Sequence, residues 1–479
     1  MRSWRNHLAP ISRIPPEIFV LVPDFWEVGN RDEDVIALTH VCQTWRELFV
    51  PRPSLWVDFD CMSMDKTIVY LERSGSSPIN LWLDGRDNRS PQYPFLHVVP
   101  HVVNRLKSLD INGKPETLQD FTTHLTRPAP LLESLSIHGG CESDPDRNPL
   151  LTTTLFNGDL HSLRELCLLS VRTMLPWRNM VNLTSFTLGH MLPADVSISQ
   201  LLDFFEASPH LRDVRLYAAT PTSGAQDGRL VSLACLESMD IIGDKPPSLL
   251  LDHLIIPVGA RLTTQAASRG DRLDDHLPRS LDNLRNLSDF TEIHLCITKF
   301  SPLIRISGPN GQISMIPITP FSNTTRLVLG SLARFNTSKA EWLKIDYGDS
   351  PSSDRPYRAL LPMKELRALM LYECATPDAF THALDPNMNP SGVVACPKLE
   401  GLILVLRQNR ETLDIKSVIK MAEARASRGA KLRSVRIVTH DESMQTDALE
   451  LREHVLHVEC GPEDDDVAND GNYGGGEED

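Results

Sequence analysis

The sequence predicts a mixed α/β chain in which a small helical module precedes a long, irregular solenoid of parallel strands and helices. Three observations carry this reading. A motif of the form L-x-x-L-x-L recurs from Leu106 to Cys460, its starts mostly 18 to 34 residues apart, the period of stacked supersecondary units. The stretches between motifs often place apolar residues at steps of three and four, the spacing of a helix face. Ahead of the motifs, a proline-led helical segment is closed off by Pro51 and Pro53.

At 479 residues the chain is too long for one ordinary compact domain, so two domains or one extended array are expected. The 48 basic and 63 acidic residues give a net charge of −15. Eight of those acids lie in the last eighteen residues, PEDDDVANDGNYGGGEED, so the rest carries only −15 + 8 = −7. Clustered Lys and Arg are missing, which argues against a nucleic-acid partner. The nine cysteines form no C-x-x-C pair, and Met1–Ser12 is polar and basic without an apolar leader core. They read as reduced, mostly buried thiols of a cytoplasmic or nuclear protein. No apolar run reaches the ~20 residues that span a bilayer, so no membrane partner is expected.

Residues 8–54 form the helical module. Pro15 and Pro16 suit a helix's first turn, where a missing N–H costs nothing, and Glu17 suits its positive end. Val35, Leu38, Val41, Cys42, Trp45, Leu48 and Phe49 fall on one helical face. A segment of ~40 residues has too little core to stand alone and needs a partner for its apolar face. The runs IPPEIF and VCQTWREL, with LW downstream, resemble the F-box, and the closest likeness is to large fungal F-box families with degenerate leucine-rich repeats. That resemblance implies docking on a Skp-type adaptor, and through it a cullin ligase, by Pro15, Pro16, Ile18, Val41, Cys42 and Trp45. It also has a departure: VLVPDFWEVGN puts Pro23 and Gly29 into the first link and lengthens it. The alternative is a helical cap that only covers the array's end.

Residues 55–460 form the repeat array. Each motif alternates like a strand, as in Leu106-Leu109-Ile111, Leu211-Val214-Leu216 and Leu366-Leu369-Leu371. Helices are predicted in Ser197–Leu211, Ile415–Gly429, Thr376–Leu384 and Thr446–Arg452, with Gly429 as a C-terminal cap. An ordinary doubly wound α/β domain is the competing architecture, but no Gly-rich phosphate turn follows an early strand. The Asn or Cys that normally bonds the turn backbone appears only as Cys374, so those turns must be satisfied in another way. Residues 262–320 interrupt the array: Leu273, Leu277, Leu281 and Leu284 predict a helix face, and Asn310-Gly311 predicts a hairpin turn. Asp346–Tyr357 reads as an exposed loop and residues 461–479 as a disordered acidic tail.

Familiar catalytic and metal patterns are missing: no G-x-S-x-G elbow, H-E-x-x-H pair, phosphate loop or zinc spacing occurs. Ser63-Met-Asp-Lys66 and Ser417-Val-Ile-Lys420 match S-x-x-K without its partner motifs, and His97 with His101 lacks a third ligand. No catalytic, cofactor or metal residue is therefore assigned. What remains is a surface made by the side chains between the motif leucines. Its target-binding residues are Arg215, Tyr217, Asp240, His294, Met370, Tyr372 and Arg436, of types enriched at interface centres. The function expected is substrate recognition for a Skp-cullin-F-box type ubiquitin ligase, with an unidentified protein as target. The alternatives are a leucine-rich-repeat scaffold without a ligase role and, third, an enzyme on an α/β core.

Overall fold

The structure is a computed structural model that describes residues 14–15, 18, 21, 31–61, 63–85, 93–140, 149–151, 155–173, 180–190, 196–219, 228–243, 245–266, 276–296, 303–316, 329, 332–346, 355–374, 377–389, 392–406 and 413–462. It is mixed α/β and its strands are mostly parallel. The chain divides into two compact units, Met1–Leu236 and Glu237–Asp479.

The N-terminal unit starts with helices α1 (Arg31–Val41) and α2 (Gln43–Phe49). The apolar run from Val35 to Phe49 does not make the single helical face predicted. Cys42 is extended (φ −159°, ψ 172°) and starts a second helix. Arg46 Nε donates to the Thr39 carbonyl at 3.0 Å, covering one acceptor that the end of α1 leaves open. This break sorts the apolar residues: Val35 and Phe49 are sealed, while Val41 is 57% exposed.

Behind this pair come β1 (Asp58–Asp60), α3 (Met64–Ser74), β2 (Ile79–Gly85), α4 (Tyr93–Val102), β3 (Leu106–Gly113) and α5 (Pro115–His124). They are followed by β4 (Ser134–Gly139), β5 (Glu165–Leu169), β6 (Ser185–Gly189), α6 (Ile198–Ala207) and β7 (Asp213–Tyr217). The seven strands pair in parallel in chain order. Each turns its second and third motif residues inward: Leu109 and Ile111, Leu135 and Ile137, Leu166 and Leu168, Phe186 and Leu188 are all buried. Removing such side chains from water contributes roughly 1.5–3 kcal/mol each. Helix α6 starts at Ser197 with a full capping box to Gln200, and its Phe204 packs on Phe186 at 4.4 Å between ring centroids.

The C-terminal unit holds β8 (Ser238–Gly243), β9 (Arg261–Ala266), β10 (Glu292–Cys296), β11 (Leu303–Gly308), β12 (Gly311–Ile316) and β13 (Trp342–Asp346). Next come α7 (Arg355–Leu360), β14 (Ala368–Tyr372), α8 (Pro377–Leu384), β15 (Gly401–Val405), α9 (Ile415–Ser427), β16 (Ser434–Val438), α10 (Glu442–Asp447) and β17 (His457–Gly461). Pairing runs β8–β9–β12–β11–β10–β13 and then in order to β17. Only β11, among the described strands, runs antiparallel to its neighbours. The interruption expected from residues 262–320 is thus a three-stranded meander.

Details of that interruption differ from the sequence reading. The hairpin turns on Pro309-Asn310, one residue earlier than predicted, because Pro309 takes the second turn position and leaves Gly311 to open β12. Gly311 has φ +128°, and a Cβ there would meet the Ala260 carbonyl oxygen at 2.5 Å. Leu273 of the predicted leucine helix lies outside the described residues, and its later part is two 3-10 turns, Leu281–Asn283 and Arg285–Leu287. Its backbone pairs with Ile256, whose N–H donates to Asn283 and whose carbonyl accepts from Arg285. Near the end, Asp441 caps α10 four residues ahead of the predicted helix, and Ala448–Glu453 continues as a 3-10 turn. Gly461, assigned to the tail from sequence, closes β17, and the rest of the acidic tail after Pro462 lies outside the described residues.

The turns after the strands are satisfied by one another. Ser170 donates to the Gly189 carbonyl, His190 to Tyr217, Glu373 to Val405 and Leu406 to Val438. Ser170, His190 and Glu373 accept left-handed backbone (φ 46° to 54°) to do so, at about 1 kcal/mol or more for a non-glycine residue.

Candidate functional site

Two kinds of surface emerge. The first belongs to the N-terminal helices. Ile14, Ile18, Leu21 and Val41 are exposed, Ile18 and Val41 each at 57%. Pro15 is exposed and its carbonyl accepts from the Ile18 amide at 3.0 Å. Cys42 and Trp45 are half-buried, and Pro16 lies outside the described residues. Trp45 stands edge-on to Phe49 at 6.2 Å. Beneath it, Trp56 Nε1 donates to the Phe49 carbonyl, and the Trp56 ring meets Tyr70 at 4.9 Å and the Arg73 guanidinium at 4.2 Å. The helices are therefore fixed on an aromatic base while an apolar set stays open to water.

The second is the outer face of each sheet, opposite the leucines. In the N-terminal unit one register row reads Asp60, Trp82, Asp110, Ser136, Cys167, Thr187 and Arg215. Arg215 is exposed and Tyr217 half-buried. A groove of about 560 Å³ runs across β1 to β5, floored by Asn80, Trp82 and Ser108, with Asp58, Asp110 and Glu165 beside them. Lys107, Glu133 and Arg164 also line it, and Lys107 faces Glu133 at 3.7 Å.

In the C-terminal unit the outer face is paired and partly sealed. His294 Nε2 and Asp346 Oδ2 are 2.6 Å apart, and Lys344 Nζ reaches the same oxygen at 3.4 Å. Lys344 also lies 5.7 Å above the Tyr372 ring. Met370, Val405 and Val438 form a buried apolar cluster with Trp342, Tyr372 and Ile403 against it. Of the residues expected to face a target, Asp240, Tyr372 and Arg436 are half-exposed, and Arg436 pairs with Glu459 at 3.6 Å. Met370 and His294 correct that expectation. Met370 is 9% exposed because neighbouring strands place Val405 and Val438 beside it, and the His294 side chain is spent on Asp346.

Chemically reactive side chains do meet on these faces. His138 Nε2 lies 2.8 Å from Ser136 Oγ and 3.5 Å from Cys167 Sγ. Burial pushes the Cys167 thiol up, and it pushes Cys296 up to about 11 with help from the Asp346 carboxylate. Both thiols are therefore held protonated and are poor nucleophiles at neutral pH. The strand amides around Ser136 are engaged by neighbouring strands, so they offer no oxyanion pocket. Ser63 and Ser417 of the S-x-x-K matches stand at helix starts, with Lys66 paired to Asp60 and Ser417 Oγ donating to Asp414. His97 and His101 share α4 and are exposed. Among the described residues no group of three or more His, Cys, Asp or Glu is placed to hold a metal. Of the eight cysteines described, only Cys61, Cys374 and Cys396 are buried, fewer than the sequence reading expected, because Cys167, Cys296 and Cys460 occupy outer-face or edge positions.

One pattern was legible in the sequence and went unread. The residue just before each of β13 to β16 carries a repeating charge: Glu341, Arg367, Glu400 and Arg433 alternate in sign and stand 3.4 to 4.0 Å from their neighbours. Their carbonyls also accept the amides that start the next strand. Compared with protein-family models and with curated proteins, the chain has no match. Among the described residues no helix is long and apolar enough to cross a membrane.

Proposed function

We propose that this chain is the substrate-recognition subunit of a Skp-cullin-F-box type ubiquitin ligase, without catalysis of its own. Its N-terminal helices dock a Skp adaptor, and its repeat faces hold a protein target in the cytoplasm or nucleus. The observation that carries the reading is the exposure of the apolar residues Ile14, Ile18, Leu21 and Val41, the last on a helix pair that keeps Trp45 half-open while burying Val35 and Phe49. Several exposed large apolar residues within the N-terminal module support a protein interface. The paired parallel strands with leucines inward support a degenerate leucine-rich repeat behind the module.

Co-purification of the full chain with a Skp adaptor tests this. Retention of the adaptor, and its loss on Val41→Asp with the circular dichroism spectrum unchanged, is the expected result. Failure of the native chain to retain an adaptor that a known F-box retains would end the ligase reading. A second reading, a repeat scaffold with a helical cap, draws on the buried Phe49–Trp56–Tyr70 contacts. In that case Val41→Asp changes no partner, and deleting Met1–Arg52 lowers stability.

A further inference from the structure

The outer face of the N-terminal sheet carries six carboxylates among its described residues, Asp58, Asp60, Asp84, Asp110, Glu165 and Asp213, against one guanidinium, Arg215. The corresponding face of the C-terminal unit carries Asp240, Glu292, Asp346 and Glu459 against Arg261, Arg305, Lys344 and Arg436. The first face is acidic and the second is balanced. The acidic face also has a shape: the 560 Å³ groove with Trp82 at its floor.

On this face the charges are settled unevenly, and the groove rim adds Lys107 and Arg164 beside Glu133. Asp60 is held by Lys66 at 2.6 Å. The Ser136 hydroxyl hydrogen-bonds Asp110 and His138 lies nearby, but among the described residues no lysine or arginine pairs with it. Register sets Asp110 directly beside Trp82 on the adjacent strand, about 5 Å away at the backbone. An indole face next to a carboxylate that no lysine or arginine of the described residues neutralises is complementary to a cationic side chain, which gains from both the ring quadrupole and the ion pair.

We propose that this face binds a Lys- or Arg-rich segment of a partner protein, with one cationic side chain of that segment seated between Trp82 and Asp110. The proposal rests on reading the chain as a target-binding subunit and names the chemistry of its target. Charge complementarity over the surrounding carboxylates steers the segment, and the groove supplies the contact area.

The test uses the full chain and two labelled peptides of equal length, one of alternating Arg and Ser and one of alternating Glu and Ser, followed by fluorescence anisotropy. The Arg peptide is expected to bind, to be released at about 0.5 M salt, and to weaken about tenfold on Trp82→Ala or on Asp110→Asn. Asp110→Asn keeps the shape of the side chain, so its effect does not depend on how Trp82→Ala folds. Equal binding of both peptides, or an affinity untouched by Asp110→Asn, would overturn the proposal. Adaptor retention is measured on the same preparations. An adaptor-bound chain that ignores the Arg peptide sinks this inference alone, whereas a chain that binds the peptide without the adaptor supports it and sinks the ligase role.

Discussion

On β13, Asp346 is only 8% exposed at its side chain and has both His294 and Lys344 on one oxygen, while Met370 beside it is packed by Val405 and Val438. On β3, Asp110 sits at an equivalent outer position, exposed at its side chain and without a lysine or arginine partner among the described residues. Strand alternation puts both carboxylates on the face opposite the leucines, so backbone geometry does not separate them. The side chains that reach them do. His294 from the adjacent strand and Lys344 from two residues back on the same strand converge on Asp346, whereas Trp82 and Ser136 flank Asp110 in register. One face has spent its charges on its own stability, and the other keeps them for something else.

The comparison can be broken by mutation, and the largest effect falls on the sealed side. Asp346→Ala strips the carboxylate from two largely buried partners, the His294 ring and the Lys344 ammonium, and is expected to cost about 3 kcal/mol, seen as a lower urea midpoint of the full chain. A loss below about 1 kcal/mol would mean that His294 and Lys344 are solvated and the contrast is false. Next is Met370→Ala, expected to cost about 2–3 kcal/mol through the cavity it leaves. Its counterpart on the other face, Ser136→Ala, should stay within about 1 kcal/mol. Equal losses for the two would erase the distinction between a packed and an open face.

The smallest effect has the opposite sign. Partial burial, with Asp84 nearby, raises the Asp110 carboxyl above the ordinary carboxylate value. The folded state then binds this proton more tightly than the unfolded chain, so ionising Asp110 costs stability as pH rises through that window. Asp110→Asn removes the cost and is expected to raise stability at neutral pH by less than about 1 kcal/mol, since the position is open to solvent. The gain should vanish on acidification below the ordinary carboxylate range. A loss of stability at neutral pH would show that Asp110 is a structural residue and not one kept for a ligand.

Much of the architecture was legible because it is local. Leu166-x-Leu168 or Leu402-x-Leu404 states which side of a strand is buried without reference to anything distant, and Ser197 with Gln200 states where a helix begins. The hairpin was legible too, but its turn moved by one residue because Pro309 competes with Asn310-Gly311 for the central positions. The helical spacing from Val35 to Phe49 misled, since a periodic pattern cannot show that Cys42 leaves the helix and turns Val41 outward. The turns without an Asn or Cys ladder were correctly marked as needing another solution. That solution, each turn's amide bonding the next turn's carbonyl, depends on neighbours stacked from separate motifs.

The sequence by itself determined most strand positions, their inward leucines, the helices α6, α8 and α9 and the apolar N-terminal segment, because periodicity and capping act within a few residues. Only the tertiary structure decided which outer-face side chains are available. Met370 and Arg215 read alike along the chain, but one is sealed by Val405 and Val438 and the other stands open. Burial and charge pairing are properties of the residues brought alongside by register, and those lie tens of positions away.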